Sequence, residues 1–141
     1  MADILLVDDD GNVLLTMAIA LRRKGHTVTM ASDGARAVEH LQKSNFQFLV
    51  SDVRMPGMSG FDLARVARSL AHPPRIILTS AYSNIGTPDG LAEAFIQKPV
   101  DVSVLDELLN HTPPEKFVEK RKSPRAEHLP RNWNAAFANG H

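Results

Sequence analysis

Ile4-Leu5-Leu6-Val7-Asp8-Asp9-Asp10 sets four consecutive apolar residues directly against three consecutive acids. An apolar run of strand length with no polar alternation fits a strand covered on both faces, the usual situation in a parallel sheet. The acids then stand where that strand ends. Outward from this stretch the pattern repeats. Val13, Leu14, Met17, Ala18 and Leu21 recur at helical spacing, and Gly25 sits where a helix C-cap belongs. Thr27 to Ala31 reads as a second strand, and Asp33-Gly34 opens a helix carrying Val38 and Leu41. Phe46 to Val50 is a third apolar run, and it too is followed by an acid, Asp52.

The turn-rich Met55-Pro56-Gly57-Met58-Ser59-Gly60 leads into a helix with Phe61, Leu63, Ala64, Val66 and Leu70, which Pro73-Pro74 interrupts. Arg75 to Thr79 is a fourth strand and Ala94 to Ile96 a fifth. Lys98-Pro99 and a last helix near Val102 to Leu109 follow. Strands alternating with amphipathic helices call for right-handed βαβ units. The expected fold is α/β: a flavodoxin-like, doubly wound, five-stranded parallel sheet of order 2-1-3-4-5. Between the fourth and fifth strands, Tyr82 to Ala92 has turn chemistry where the fourth helix belongs. That helix is expected to be short, late-starting or mobile. Residues 1–111 are read as the folded domain. Residues 112–141, with Pro113-Pro114, Pro124, Pro130 and Lys120-Arg121-Lys122, are read as a disordered, Pro-rich, charged tail.

Composition removes several functions. The 16 basic residues equal the 16 acidic ones, so net charge argues for no polyanionic partner. Without cysteine there are no disulfides, thiolate nucleophiles or cysteine–zinc sites. The six histidines show no ligand-like spacing and are expected at the surface. The start, Met1-Ala2-Asp3, does not read as a basic signal-peptide start, so no signal peptide is expected, and no apolar run approaches the ~20 residues of a membrane span. A cytoplasmic protein with no membrane contact and no direct nucleic-acid binding is expected.

In open α/β sheets ligands bind beyond the carboxyl ends of the strands. Asp8 and Asp9, Asp52 and Thr79 all fall at such ends, and Lys98 follows the fifth strand. Three carboxylates crowded beside one ammonium repel one another unless a cation intervenes. A hard divalent ion, Mg2+ above all, suits oxygen ligands from Asp8 or Asp9, Asp52 and a backbone carbonyl near Arg54. A carboxylate is also a competent nucleophile toward an activated phosphoryl donor.

These residues resemble a known family. Ile4 to Asp10, Ser51-Asp52-Val53-Arg54-Met55-Pro56-Gly57-Met58-Ser59-Gly60, Ile77-Leu78-Thr79-Ser80 and Lys98-Pro99 are similar, in order and spacing, to motifs of the receiver domains of bacterial response regulators. The resemblance runs from about Asp3 to Leu109. It implies that Asp52 is the phosphoacceptor. Asp8 and Asp9, with Asp52 and the Arg54 carbonyl, would hold Mg2+. Thr79 would be the hydroxyl that closes onto the phosphoryl group, and Lys98 would pair with a phosphoryl oxygen. Phe95 would be the aromatic that turns inward when Thr79 moves, and the bond before Pro99 would be cis. Arg54 would shape the access of attacking water.

Such a protein is a switch of two-component signalling. It is not expected to be an enzyme, beyond taking part in its own aspartyl phosphorylation and dephosphorylation. Its donor is a histidine kinase or histidine phosphotransfer protein, and its output a protein–protein contact with an unidentified downstream protein. No output domain is expected after Leu109, and a monomer is favoured. Two rivals are weighed against this reading. A pseudo-receiver would bind partners without phosphorylation. A haloacid-dehalogenase-type phosphatase would use Asp8 as nucleophile and Asp10 as acid/base, but leaves the Asp52 loop unexplained. Two departures from the family pattern are Ser80, where a small apolar residue is usual, and a short interval from Thr79 to Lys98.

Overall fold

The computed structural model describes residues 1–82 and 90–111 of the chain. Five parallel strands form one sheet: β1 (Asp3–Val7), β2 (Thr27–Ala31), β3 (Phe48–Asp52), β4 (Arg75–Ser80) and β5 (Ala94–Gln97), in the order β2-β1-β3-β4-β5. Four helices belong to the described residues: α1 (Gly11–Arg23), α2 (Gly34–Lys43), α3 (Gly60–Arg68) and α4 (Val102–His111). The expected flavodoxin-like order is the observed one. Residues 83–89, most of the segment expected to hold a short helix between β4 and β5, lie outside the described residues, as does the expected tail over 112–141.

Strand alternation divides the core in two. Leu5, Val7, Leu49, Ile76 and Leu78 pack under α2 and α3, while Ile4, Leu6, Phe48, Val50 and Ile77 pack under α1 and α4. With both faces covered, β1 and β3 have almost no exposed residue, which is why they read as unbroken apolar runs. β3 starts two residues later than expected and includes Asp52, whose neighbour in register on β4 is Thr79. Phe46 is buried all the same, from the connection that precedes the strand.

The helix ends follow their side chains. The Asp10 carboxylate accepts hydrogen bonds from Asn12 N–H and Val13 N–H, capping α1. At the other end Gly25 takes φ +97°. Its N–H bonds to Arg22 O and the His26 N–H to Leu21 O, so both leftover carbonyls are satisfied. Ser59 and Asp62 cap α3 reciprocally.

His26 corrects the expectation of surface histidines. It is 4 % exposed. Its Nδ1 accepts the Ala2 N–H at 3.0 Å, so Nε2 carries the ring proton and donates it to Asp106 Oδ1 at 2.6 Å. Neither partner is near in sequence, so no local pattern marks the position.

Candidate functional site

The register carries the acids to one place. β1, β3 and β4 end side by side, and Val53 N–H bonds Thr79 O at 2.9 Å just past the β3–β4 ladder. Alternation puts Asp8, Asp52 and Thr79 on the same side of the sheet as Leu6, Val50 and Ile77. Ser80 points to the other side, as does Phe95, which packs partly buried against the cluster under α2 and α3. The Ser80 hydroxyl accepts the Tyr82 N–H at 3.0 Å. Of the two adjacent hydroxyl residues, Thr79 is therefore the one on the side of Asp52.

Asp8 and Asp52 are buried, at 3 % and 7 % exposure, and Asp9 is exposed. One carboxylate oxygen from each of the three lies within 4.8 Å of the others. Lys98 enters from the turn after β5, which its own N–H ties to Ser80 O at 2.7 Å. Its Nζ donates to Asp8 Oδ2 at 2.7 Å and lies 3.3 Å from Asp52 Oδ2. The peptide bond between Lys98 and Pro99 is cis. The other Asp8 oxygen accepts the Asp10 N–H at 2.9 Å, which locks Asp8 to the start of α1.

The charges do not balance. Burial pushes the Asp52 carboxyl above the ordinary aspartate value. Lys98 pulls it back down, but the neighbouring Asp8 and Asp9 charges push it up again. For Lys98, burial works against the charged form, yet its hydrogen bonds and charge contacts to Asp8 and Asp52 outweigh it and hold the ammonium above its ordinary range. Among the described residues, Lys98 is the cation paired in this cluster of three carboxylates, and it pairs with two of them. A divalent ion with oxygen ligands is the chemistry such a donor set fits.

The structure adds a residue and a contact that local sequence patterns did not single out. Gly60, the first residue of α3, lies against the strand end. A Cβ there would stand 2.3 Å from Asp52 O and 2.8 Å from Val53 Cα, so only glycine lets α3 start where it does. Its N–H bonds Val53 O at 2.8 Å. The Ser-Gly pair opening a helix eight residues past Asp52 was the available signal. Arg54, exposed just past β3, lays its guanidinium 4.4 Å from the centroid of the Tyr82 ring. Nothing local in the sequence announces that pair.

Residues 4–110 match the response regulator receiver domain family. Among similar curated proteins, the transcriptional regulatory protein AfsQ1 of Streptomyces coelicolor is 33% identical over 109 residues. That match covers 75% of this chain and 48% of AfsQ1. The sensor kinase/phosphatase CqsS of Vibrio cholerae is 31% identical over 109 residues, 72% of this chain and 16% of CqsS. The chain thus spans about half or less of the curated relatives it matches. Among solved structures, the response regulator TrrA of Thermotoga maritima, in complex with Mg2+ and BeF, superposes with a TM-score of 0.70 at 28% identity. It covers 77% of this chain and 96% of that one. No helix among the described residues is long and apolar enough to cross a membrane. With its five-stranded order, its acid-lined strand ends and a family match over most of its length, the chain belongs to the response regulator receiver domains of two-component signalling.

Proposed function

We propose that this chain is a phosphorylation switch that accepts a phosphoryl group on Asp52 from a histidine kinase or histidine phosphotransfer protein and acts through protein–protein contacts. The observation that carries the reading is Lys98 Nζ between buried Asp8 and Asp52, with Asp9 alongside.

A carboxylate oxygen of Asp52 attacks the phosphorus of the donor. The bond from phosphorus to the donor's imidazole nitrogen, or to the acetate oxygen of acetyl phosphate, breaks as the new P–O bond forms. The leaving group departs with that electron pair, and Asp52 becomes an acyl phosphate. Attack needs the ionised carboxylate, and Lys98 opposes the effect of burial on that ionisation. Lys98 then pairs with a phosphoryl oxygen, and the Thr79 hydroxyl, on the same side of the sheet, donates to another. Phe95 turns inward as Thr79 moves. Asp8, Asp9, Asp52 and the Arg54 carbonyl would hold Mg2+, which when bound supplies positive charge for the phosphoryl oxygens.

Incubating the chain with Mg2+ and acetyl phosphate should add about 80 Da, one phosphoryl group, and chelating the Mg2+ should prevent it. An unchanged mass under both conditions would favour a pseudo-receiver that works without phosphorylation.

A further inference from the structure

Arg54 raises a question that the phosphoacceptor reading leaves open. It lies two residues beyond Asp52. Arg54 is exposed just past the end of β3, on the carboxyl-end side of the sheet. Three carboxylates cluster on that side. Yet among the described residues Arg54 makes no ion pair, and the ammonium shared by Asp8 and Asp52 is that of Lys98. The Arg54 guanidinium instead lies over the ring of Tyr82, a residue that is 54 % exposed. Tyr82 itself is held close to the site, because its N–H bonds the Ser80 hydroxyl one residue past Thr79.

We infer that Tyr82 is the resting seat of the Arg54 guanidinium, and that phosphorylation of Asp52 draws Arg54 off the ring and bares it. The inference rests on Asp52 being the phosphoacceptor. A stack of two exposed groups is among the weaker cation–π contacts. A phosphoryl group brings nearly two negative charges and three acceptor oxygens. A planar guanidinium meets such a group with paired, charge-assisted hydrogen bonds, which a lysine cannot reproduce. One side chain cannot serve both partners, so the two contacts compete and the coupling is reciprocal. The surface then changes at one defined place. An aromatic ring whose face is covered by Arg54 becomes an uncovered ring beside the end of β4, and uncovered aromatic residues are enriched where proteins bind one another.

Tyr82 is the single tyrosine of the chain, so ring-labelled tyrosine reports on it alone in an NMR spectrum of the full chain. Spectra would be recorded for the wild type and Arg54→Ala, each with and without Mg2+ and excess acetyl phosphate, with the mass of each sample measured. R54A is expected to shift the ring signals without any phosphoryl donor. Phosphorylated wild type is expected to move its signals toward the R54A position, and phosphorylated R54A to move little further. Ring signals that stay put when the mass shows wild-type uptake would overturn the inference and leave the acceptor reading standing. So would an R54A spectrum that matches unphosphorylated wild type, or one that responds to phosphorylation as fully as wild type does. A wild-type mass without added phosphoryl would instead bring down the acceptor reading, and the inference with it.

Discussion

The two ends of the sheet use the same side-chain chemistry to opposite effect. At the carboxyl end, Asp8, Asp9 and Asp52 cluster, the Lys98 ammonium pairs with two of them, and Asp52 is pushed above its ordinary ionisation range. At the amino end, one carboxylate meets several donors. Asp106 accepts from His26 Nε2 and from Asn110 Nδ2, and Asn110 Oδ1 in turn accepts from the amino terminus. Asp106 is accordingly held below its ordinary value, first by the His26 hydrogen bond. One end has more negative charge than its donors offset, and the other has donors enough. The saturated end ties β1, the start of β2 and α4 together. The unsaturated end is left with a demand for positive charge that a metal ion can meet.

The sharpest way to break this comparison is at Asp52. Asp52→Asn should abolish phosphoryl uptake entirely, read as the missing mass increment, while His26→Ala should leave uptake intact. Next comes Lys98→Met, which leaves two buried carboxylates without their cation. A loss of about 3 kcal/mol in unfolding free energy is expected in Mg2+-free buffer, and part of it should return when Mg2+ is added. His26→Ala strands the Ala2 N–H and removes the Asp106 donor together. It should cost about 2 kcal/mol by urea unfolding, with no Mg2+ rescue. A loss that Mg2+ repairs equally at both ends would erase the distinction.

The smallest effects are those of pH, and their signs are opposite at the two ends. Asp52 has a raised carboxyl value in the fold, so the native state binds its proton more readily than the unfolded chain. Its contribution therefore falls as pH rises from the ordinary 3.8 through the raised value. Asp106 is lowered, so its contribution is present above 3.8 and is lost as pH falls through the lowered value. Lys98 supports the fold fully below its ordinary 10.5 and loses that support as pH rises through its raised value. Without Mg2+, Asp52→Asn should stabilise the protein near neutral pH, because it removes a buried negative charge beside Asp8 and Asp9. Asp106→Asn should remove part of the loss on acidification. Unfolding curves taken across the acid range measure both.

Much of the fold was legible because it is written in local patterns. Apart from the start of β3, the apolar strand runs, the helices at 3.6-residue spacing and Gly25 after α1 stand where the chain alone puts them. The site was legible for a related reason. Parallel strands end at one edge, so acids that close successive apolar runs must meet there. What escaped depends on contacts between residues distant in sequence. His26 is buried because α4 brings Asp106 to it from 80 positions away. Gly60 matters because of a backbone approach to Asp52, and Arg54 meets Tyr82 across the gap between two strand ends. The sequence puts the start of β3 too early, because Phe46 is buried without being in the strand. Burial and strand pairing look alike in a short apolar run.

The claim that the carboxyl end of the sheet is an acyl phosphate site has one most direct test. The chain would be phosphorylated with Mg2+ and acetyl phosphate, reduced with borohydride, which converts an aspartyl phosphate to homoserine, and mapped by peptide mass. Homoserine at position 52 and nowhere else is the expected result. Homoserine at position 8, or at no position despite phosphoryl uptake, would contradict it.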